Sequence, residues 1–222
     1  VQALSAGAAK SGCWMNTGEG GLSPYHLEGG ADLVFQIGTA KYGVRDEQGL
    51  LSDDKLRNIA SYEQVKMFEL KLSQGAKPGK GGILPGTKVT KEIAAIRGIP
   101  VGVDSISPNR HPDINSTDDL LNMISQRAPV DAVKVIGMVR VDLYIPILTY
   151  IFGQARLGGN TGVASLYRLR NEQYGMKKDD ALLLERFQKV VIHELGHMFG
   201  LVHCHVPPCV MRSSTYVEDI DQ

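Results

Sequence analysis

The chain has 222 residues, of which 43% are hydrophobic and 22% charged; this composition excludes a disordered protein and suffices for one large or two small domains. Its 24 basic and 24 acidic residues balance to zero, so no long-range field favours nucleic acid or an anionic membrane. No run approaches the roughly 20 apolar residues of a membrane span. The three cysteines are too few for a disulfide framework, which favours a cytoplasmic protein.

Helical and strand patterns alternate in the first part of the chain, up to about residue 126. Helices are predicted at residues 2–11, 53–61, 90–97 and 116–126, and strands at 33–37, 65–72 and 99–103. Ser52 or Asp53, Thr90 and Ser116 stand where N-caps are needed. Such alternation favours a parallel sheet of βα units, either half of an eight-fold barrel or a small open sheet. We therefore expect an α/β fold, with one domain over residues 1–126 and another over 127–222.

The pattern changes after about Val130 to short apolar strands followed by one long helix. Residues 132–144 predict a valine-rich strand pair, and residues 150–155 with 163–169 predict a hairpin across the glycine-rich segment 158–162. Residues 181–200 predict a helix, because apolar side chains recur there at helical spacing without a proline. Gly200 is a natural left-handed stop. A small mixed sheet beside this helix is expected.

The helix carries the motif HELGHMFGLVH, which contains His193, Glu194, His197 and His203. Residues four apart on a helix differ by only about 40° in azimuth and about 6 Å in rise, so both helical imidazoles can face one cleft. Gly200 lets the chain reverse and bring His203 back as a third nitrogen ligand. Three neutral donors leave a fourth tetrahedral position for water, which is typical of a catalytic zinc site.

This donor set predicts hydrolysis of a peptide or protein substrate. Water bound to zinc has a pKa near about 7, and the Glu194 carboxylate can take its proton as it attacks a polarised carbonyl. The alternative is a chance occurrence, since single HExxH strings appear on helices without function. The added glycine, third histidine and Met211 favour the zinc hypothesis.

HELGHMFGLVHC, followed by Cys209, Val210 and Met211, together with VDLYIPILTYIFGQARLGGNTGVASLYRLR, resembles the archaemetzincins, zinc metallopeptidases of the metzincin clan. The resemblance covers about residues 128–222. It implies that His193, His197 and His203 bind zinc, that Glu194 is the general base and that Met211 forms the methionine turn. It also implies that residues 163–169 form an edge strand along which an extended substrate pairs.

The same resemblance implies that Cys204 and Cys209 share a second zinc with a later CxxC pair. No such pair follows before Gln222, so we expect that a closed four-cysteine site does not form within this chain. The two cysteines are then either plain thiols, weakly metallated, or oxidised to each other. His205 is expected to be a surface residue.

The first part contains a glycine-rich segment at residues 69–86 that matches neither GxxxxGK[ST] nor a strand-linked GxGxxG. NTGEGGLSPYHLEGGADLVFQIGTAKYGVR, KLSQGAKPGKGGILPG and GIPVGVDSISPNRHPDINSTDDLL together resemble the FMN-binding barrel domain of glutamate synthase, over about residues 1–122. The resemblance implies that Lys71 and Gln74 lie near a flavin, beside an active-face loop at residues 16–20. The barrel strands that hold the flavin phosphate have no counterpart, so the FMN pocket is expected to be incomplete.

Two resemblances that meet near residues 120–130, each incomplete there, indicate a composite of two partial domains. The chain also begins with Val1 rather than methionine, which suggests either a processed product or a piece of a longer chain. Zinc-dependent peptide hydrolysis is the leading hypothesis. The alternatives are an FMN-dependent oxidoreductase of the glutamate synthase type and an inactive composite of two fragments. The sequence does not indicate an oligomeric state.

Overall fold

The computed structural model describes residues 1–77, 79–145 and 148–221, which divide into two compact units. The first unit runs from Val1 to Ile114, and the second begins at Asn115. The helix that follows Ser116 therefore belongs to the second unit. The sequence suggested a division between residues 126 and 127, and that boundary between families stays a prediction.

Helices and strands alternate along the first unit. In chain order they are α1 (Gln2–Ser11), β1 (Met15–Asn16), α2 (Pro24–Leu27), β2 (Leu33–Ile37), α3 (Asp53–Ala60), β3 (Val65–Leu70), β4 (Gly82–Leu84), α4 (Lys91–Arg97) and β5 (Ser105–Ser107), with a 3-10 turn at Gly86–Lys88. The expected α/β class is confirmed for this unit.

Side-chain caps explain why two of these helices begin where they do. The Ser52 hydroxyl accepts the Lys55 N–H at 3.3 Å and the Thr90 hydroxyl accepts the Ile93 N–H at 3.2 Å, so each satisfies an amide that has no partner within its helix. The choice between Ser52 and Asp53 is thereby decided in favour of Ser52.

The sheet of the first unit is parallel, in the order β1, β2, β3. Its central strand is buried and packs with α3 around Phe35, Ile37 and Ile59. The outer strand β3 leaves Met67 52% and Phe68 40% exposed.

One strand predicted for the first unit is wrong. Residues 99–103 form a turn, and the strand follows at β5, antiparallel to β4. Gly98 precedes this segment and ends helix α4, and Gly102 lies within the segment; their φ values of 67° and 73° are a left-handed backbone that is incompatible with an extended strand. Pro100 between them further lowers the tendency to pair.

The second unit contains a mixed sheet and the long helix expected from the sequence. In chain order its elements are α5 (Thr117–Arg127), β6 (Val135–Val139), β7 (Leu143–Ile145), β8 (Leu148–Ile151), β9 (Gly153–Ala155), β10 (Thr161–Ser165), α6 (Asp180–Met198) and α7 (Val217–Ile220), with a 3-10 turn at Asn171–Tyr174. The Ser116 hydroxyl caps α5 by accepting the Asp119 N–H at 3.1 Å, as predicted.

The pairing of these strands corrects two expectations. Strands β6 and β7 do not pair with each other: β6 runs parallel to β10, and β7 is antiparallel to β8. The β9 and β10 hairpin is confirmed, but β10 is central in the order β6, β10, β9. The edge strand beside the helix is therefore β9 and not residues 163–169, because β6 occupies the other side of β10.

Helix α6 packs on this sheet through a core that includes Phe152, Ala164, Phe187 and Val190. Arg186, 3% exposed, forms a two-pronged ion pair with Asp221, with both N–O distances at 2.6 Å. This pair fixes α7 against α6. No helix within the described residues is long and apolar enough to cross a membrane.

Candidate metal centre

Helix α6 ends in a way that turns the chain back over its own last turn. Its first turn is capped by the Asp179 carboxylate, which accepts the Leu182 N–H at 3.0 Å. At the other end Gly200 has a φ of 87°, and the Leu201 N–H reaches back to the Gly196 carbonyl at 2.9 Å. This is a Schellman arrangement, and it directs the following residues towards the face of the helix that carries the histidines.

The three histidine side chains of the motif converge as predicted. The Nε2 atom of His197 lies 3.0 Å from Nε2 of His193 and 3.2 Å from Nε2 of His203. One ligand atom from each ring falls within 4.8 Å of the others. A single cation could therefore contact all three nitrogens.

Backbone carbonyls determine which nitrogen of two rings carries the proton. His193 Nδ1 lies 2.7 Å from the Val210 carbonyl oxygen, and His197 Nδ1 lies 2.8 Å from that of Leu201. A carbonyl only accepts, so each Nδ1 is the donor and each neutral ring keeps an unprotonated Nε2. Two lone pairs 3.0 Å apart repel unless a cation lies between them, and therefore the donor set fits a metal ion.

The electrostatic surroundings favour the neutral form of the His193 and His203 rings. Burial lowers the pKa of His193, and the nearby His197 and His203 rings lower it further. Burial also lowers the pKa of His203, with His197 and His205 adding to the effect. Neutral imidazole is the form that binds a metal, so this environment favours the ligand state.

Glu194 is 5% exposed and lines the same cleft as the three histidines. Burial raises the pKa of its carboxyl to about 8. The side chain rests against Gly153 of β9: a Cβ at that glycine would lie 2.5 Å from Glu194 Oε1 and 2.7 Å from the Val163 carbonyl oxygen. The absence of a side chain at position 153 is what makes room for the carboxyl group.

Met211 lies under the last turns of α6, in the loop that follows the motif. It is 6% exposed, and its sulfur occupies the space that a Cβ on Gly196 would need. Its carbonyl accepts the Cys204 N–H at 2.9 Å, which joins the segment after His203 to the segment before α7. The predicted methionine turn thus has a packing partner in the motif itself.

A cleft of about 460 Å³ opens beside the histidines. Its walls come from strand β9, from helix α6 and from the loop at residues 208–214. Val190 and Ile220 line it together with His193 and Glu194. The proposed ligands therefore border an open cleft.

The two cysteines near the motif do not join the histidine cluster. Cys204 and Cys209 are free thiols and partly exposed, and His205 is exposed as expected. A hydrogen bond from the Val206 N–H to Cys204 Sγ lowers the pKa of that thiol, as does its contact with Cys209. Within the described residues, the cluster of three or more potential ligands is the histidine triad.

The first unit brings together the residues that resemble a flavin site. Lys71 Nζ donates to Glu19 Oε2 at 2.9 Å and to Gln74 Oε1 at 3.1 Å. Gln74 Nε2 donates to Glu19 Oε2 at 2.6 Å and to the Thr39 hydroxyl at 3.1 Å. Pro78 of the same glycine-rich segment lies outside the described residues. These contacts use both amide hydrogens of Gln74.

The sequence did not point to two residues that contact the helix carrying the histidines. Gly153 makes room for Glu194, and Lys134 contacts the carboxyl end of α6 through the Met198 carbonyl at 2.8 Å. Neither residue belongs to a motif, and each acts through a neighbour distant in sequence. Only the pairing of β9 and β6 with β10 brings them to the helix.

Comparison with known proteins matches two family models to the chain. The conserved region in glutamate synthase matches residues 1–143, and peptidase family M54 matches residues 115–222. The glutamate synthase large subunit-like protein YerD of Bacillus subtilis is 46% identical over 127 residues, which are 57% of this chain and 24% of that protein. The archaemetzincin of Pyrococcus horikoshii is 51% identical over 86 residues, which are 39% of this chain and 46% of that protein.

One solved structure is also similar to part of the chain. The archaemetzincin from Archaeoglobus fulgidus, crystallised with malonate, is 37% identical, with a TM-score of 0.38 over 46% of this chain and 59% of that one. The chain spans less than half the length of either curated relative above.

Proposed function

This chain belongs to the family of the conserved region in glutamate synthase, matched over residues 1–143, and because its residues 115–222 match peptidase family M54, we propose that it is a zinc-dependent metallopeptidase. The observation that carries the proposal is the convergence of one ligand atom from each of three imidazoles within 4.8 Å. Zinc held there would polarise a peptide carbonyl and lower the pKa of water to about 7.

Each residue of the motif has a role in this proposal. His193, His197 and His203 hold the metal through Nε2, and the Val210 and Leu201 carbonyls keep the first two rings in the required tautomer. Glu194 accepts a proton from the attacking water and delivers it to the leaving amine nitrogen. A neighbouring cation lowers a carboxyl pKa, so metal binding returns the buried Glu194 to the ionised form that a base requires.

The edge strand β9 supports an extended peptide as the substrate. Residues Phe152 and Arg156 bond to β10, with the Phe152 carbonyl 2.7 Å from the Ser165 amide and the Arg156 amide 3.1 Å from the Thr161 carbonyl. Backbone groups alternate in direction along a strand, so those of Gly153 and Ala155 face the cleft. A peptide adding to this edge would lie next to Glu194 and the metal.

Metal analysis combined with three variants tests the proposal. Wild type is expected to contain about one zinc per chain and to cleave unstructured peptides, measured by mass spectrometry. His197→Ala should lose both zinc and cleavage, whereas Glu194→Ala should keep zinc and lose cleavage. Full zinc content in the double variant His193→Ala, His197→Ala would refute the site. Zinc bound by wild type without any cleavage would support an inactive composite instead.

Cytoplasmic location is part of the same proposal. Its support is the free state of Cys13, Cys204 and Cys209, which a reducing compartment preserves. Fractionation of cells that produce the chain tests it, and recovery with secreted proteins would contradict it.

Flavin chemistry by the first unit is the second candidate function. It is favoured by the match to residues 1–143 and by the gathering of Glu19, Lys71 and Gln74 at the carboxyl end of a parallel sheet. It is the weaker candidate, because Gln74 would have to break its bonds to Glu19 and Thr39 before it could face a flavin. After incubation with FMN and removal of the free flavin, the purified protein should therefore be colourless. A protein that stays yellow because it retains FMN would reverse the ranking.

A further inference from the structure

Lys134 stands immediately before β6 and outside the histidine motif, yet its ammonium group reaches the metal-bearing helix. Its Nζ donates to the Met198 carbonyl at 2.8 Å and to the Gly159 carbonyl at 2.8 Å. The same atom lies 4.7 Å from the centroid of the Phe199 ring. Lys134 thus bridges the end of α6 and the turn of the β9 and β10 hairpin.

A positively charged side chain stabilises a helix at its carboxyl end, which is where the Lys134 ammonium contacts α6. The last carbonyls of a helix lack partners within it and carry the negative end of the helix dipole. The hairpin turn satisfies another of them, since the Gly158 N–H donates to the His197 carbonyl at 2.9 Å. Lys134 and the hairpin turn therefore hold the last turn of α6 between them.

That last turn sets the positions of two proposed metal ligands. His197 lies in it, and the ring is oriented by the Leu201 carbonyl at 2.8 Å. Leu201 is itself placed by its bond to Gly196, and His203 follows two residues later. A shift of the helix end would move the His197 ring and the return of His203 together.

We propose that Lys134 is a positioning residue for the metal centre, acting through the carboxyl end of α6. This inference rests on the zinc site of the proposed function. The backbone of Lys134 is fixed separately, because the Val135 N–H donates to the Asn160 carbonyl at 2.8 Å and β6 continues along β10. Removal of the ammonium group therefore leaves the sheet paired and frees the helix end together with the Gly159 carbonyl of the hairpin turn.

The test compares the zinc dissociation constant of the full chain in wild type, Lys134→Met and Lys134→Arg. The constant is measured by competition with a chromophoric chelator, after circular dichroism has verified folding of the metal-free protein. Lys134→Met should bind zinc about tenfold or more weakly, which is the usual cost of losing a group that supports a metal ligand. Lys134→Arg keeps the charge and the donors and should stay close to wild type.

Lys178→Met is the matched control, because Lys178 pairs with Asp180 at the opposite end of the same helix. It should leave the zinc constant within about twofold of wild type, as expected for an exposed ion pair. Should Lys134→Met not fold, Lys134→Gln takes its place, since it loses the charge and retains one donor group. A merely stabilising role would lower the unfolding midpoint without moving the zinc constant.

The outcomes separate this inference from the proposed function. An unchanged zinc constant in the folded Lys134 variant, or an equal loss in Lys178→Met, overturns the inference alone. A wild-type chain that takes up no zinc overturns the proposed function and the inference with it.

Discussion

Replacing Gly153 by alanine tests the idea that space at one position of β9 sets the place of the general base. The added Cβ would lie 2.5 Å from Glu194 Oε1, whereas an ordinary contact begins near 3.4 Å. Glu194 is enclosed, so its carboxylate must move by the difference, roughly 1 Å. A misplacement of about 1 Å at a reacting group costs on the order of 100-fold in rate. Peptide cleavage by Gly153→Ala should fall by about that factor, with zinc still bound.

The assay measures cleavage rate and zinc content on the same preparation. Gly7→Ala is the control, because nothing lies within 4 Å of a Cβ at Gly7 and the same change there should leave both quantities unaltered. Circular dichroism checks the hairpin, since the new methyl group also approaches the Val163 carbonyl of β10. Full cleavage by Gly153→Ala would refute the reasoning, and so would loss of zinc in a folded variant.

Two further substitutions probe the elements that support the site. Asp221→Asn removes the ion pair with buried Arg186 and should lower the free energy of unfolding by about 1.5–3 kcal/mol, measured in urea. The Arg186 guanidinium holds the pKa of Asp221 below its usual 3.8, so this stabilisation is present above about pH 4 and disappears as pH falls through the lower folded value. The unfolding free energies of wild type and variant should therefore converge at low pH. Values that stay apart in acid would contradict this reasoning. Gly200→Ala places a Cβ on a backbone with φ of 87°, in open space, and should cost about 1–2 kcal/mol in unfolding and weaken zinc binding. Unchanged zinc affinity would show that the turn does not place His203.

Local signals in the sequence predicted most of the helices. Caps lie one residue before the helices that they start, at Ser52, Thr90 and Ser116. Each hydroxyl accepts a backbone N–H only three residues further on, so the signal is local in sequence. Helix α6 was predicted from its apolar spacing, and Gly200 marked the place where the chain leaves it. The convergence of the three histidines also follows from helical spacing and one reversal of the chain.

Strand partners could not be predicted in the same way. The apolar pattern of residues 132–144 shows that strands are present, but it is equally compatible with several partners. The structure places β10 between β6 and β9, and this pairing decides which strand borders the cleft. Gly153 and Lys134 become part of the site only through that pairing, so neither could be recognised from its neighbours in sequence.

The ligand atoms of the bound metal provide the most direct test of the account. X-ray absorption or a crystal structure of the zinc-loaded chain should show one zinc with three histidine nitrogens at about 2.0–2.1 Å, all of them Nε2. The Nδ1 atoms of His193 and His197 should remain on the Val210 and Leu201 carbonyls. Zinc bound through Cys204 and Cys209, or through Nδ1 of either ring, would contradict the proposed centre.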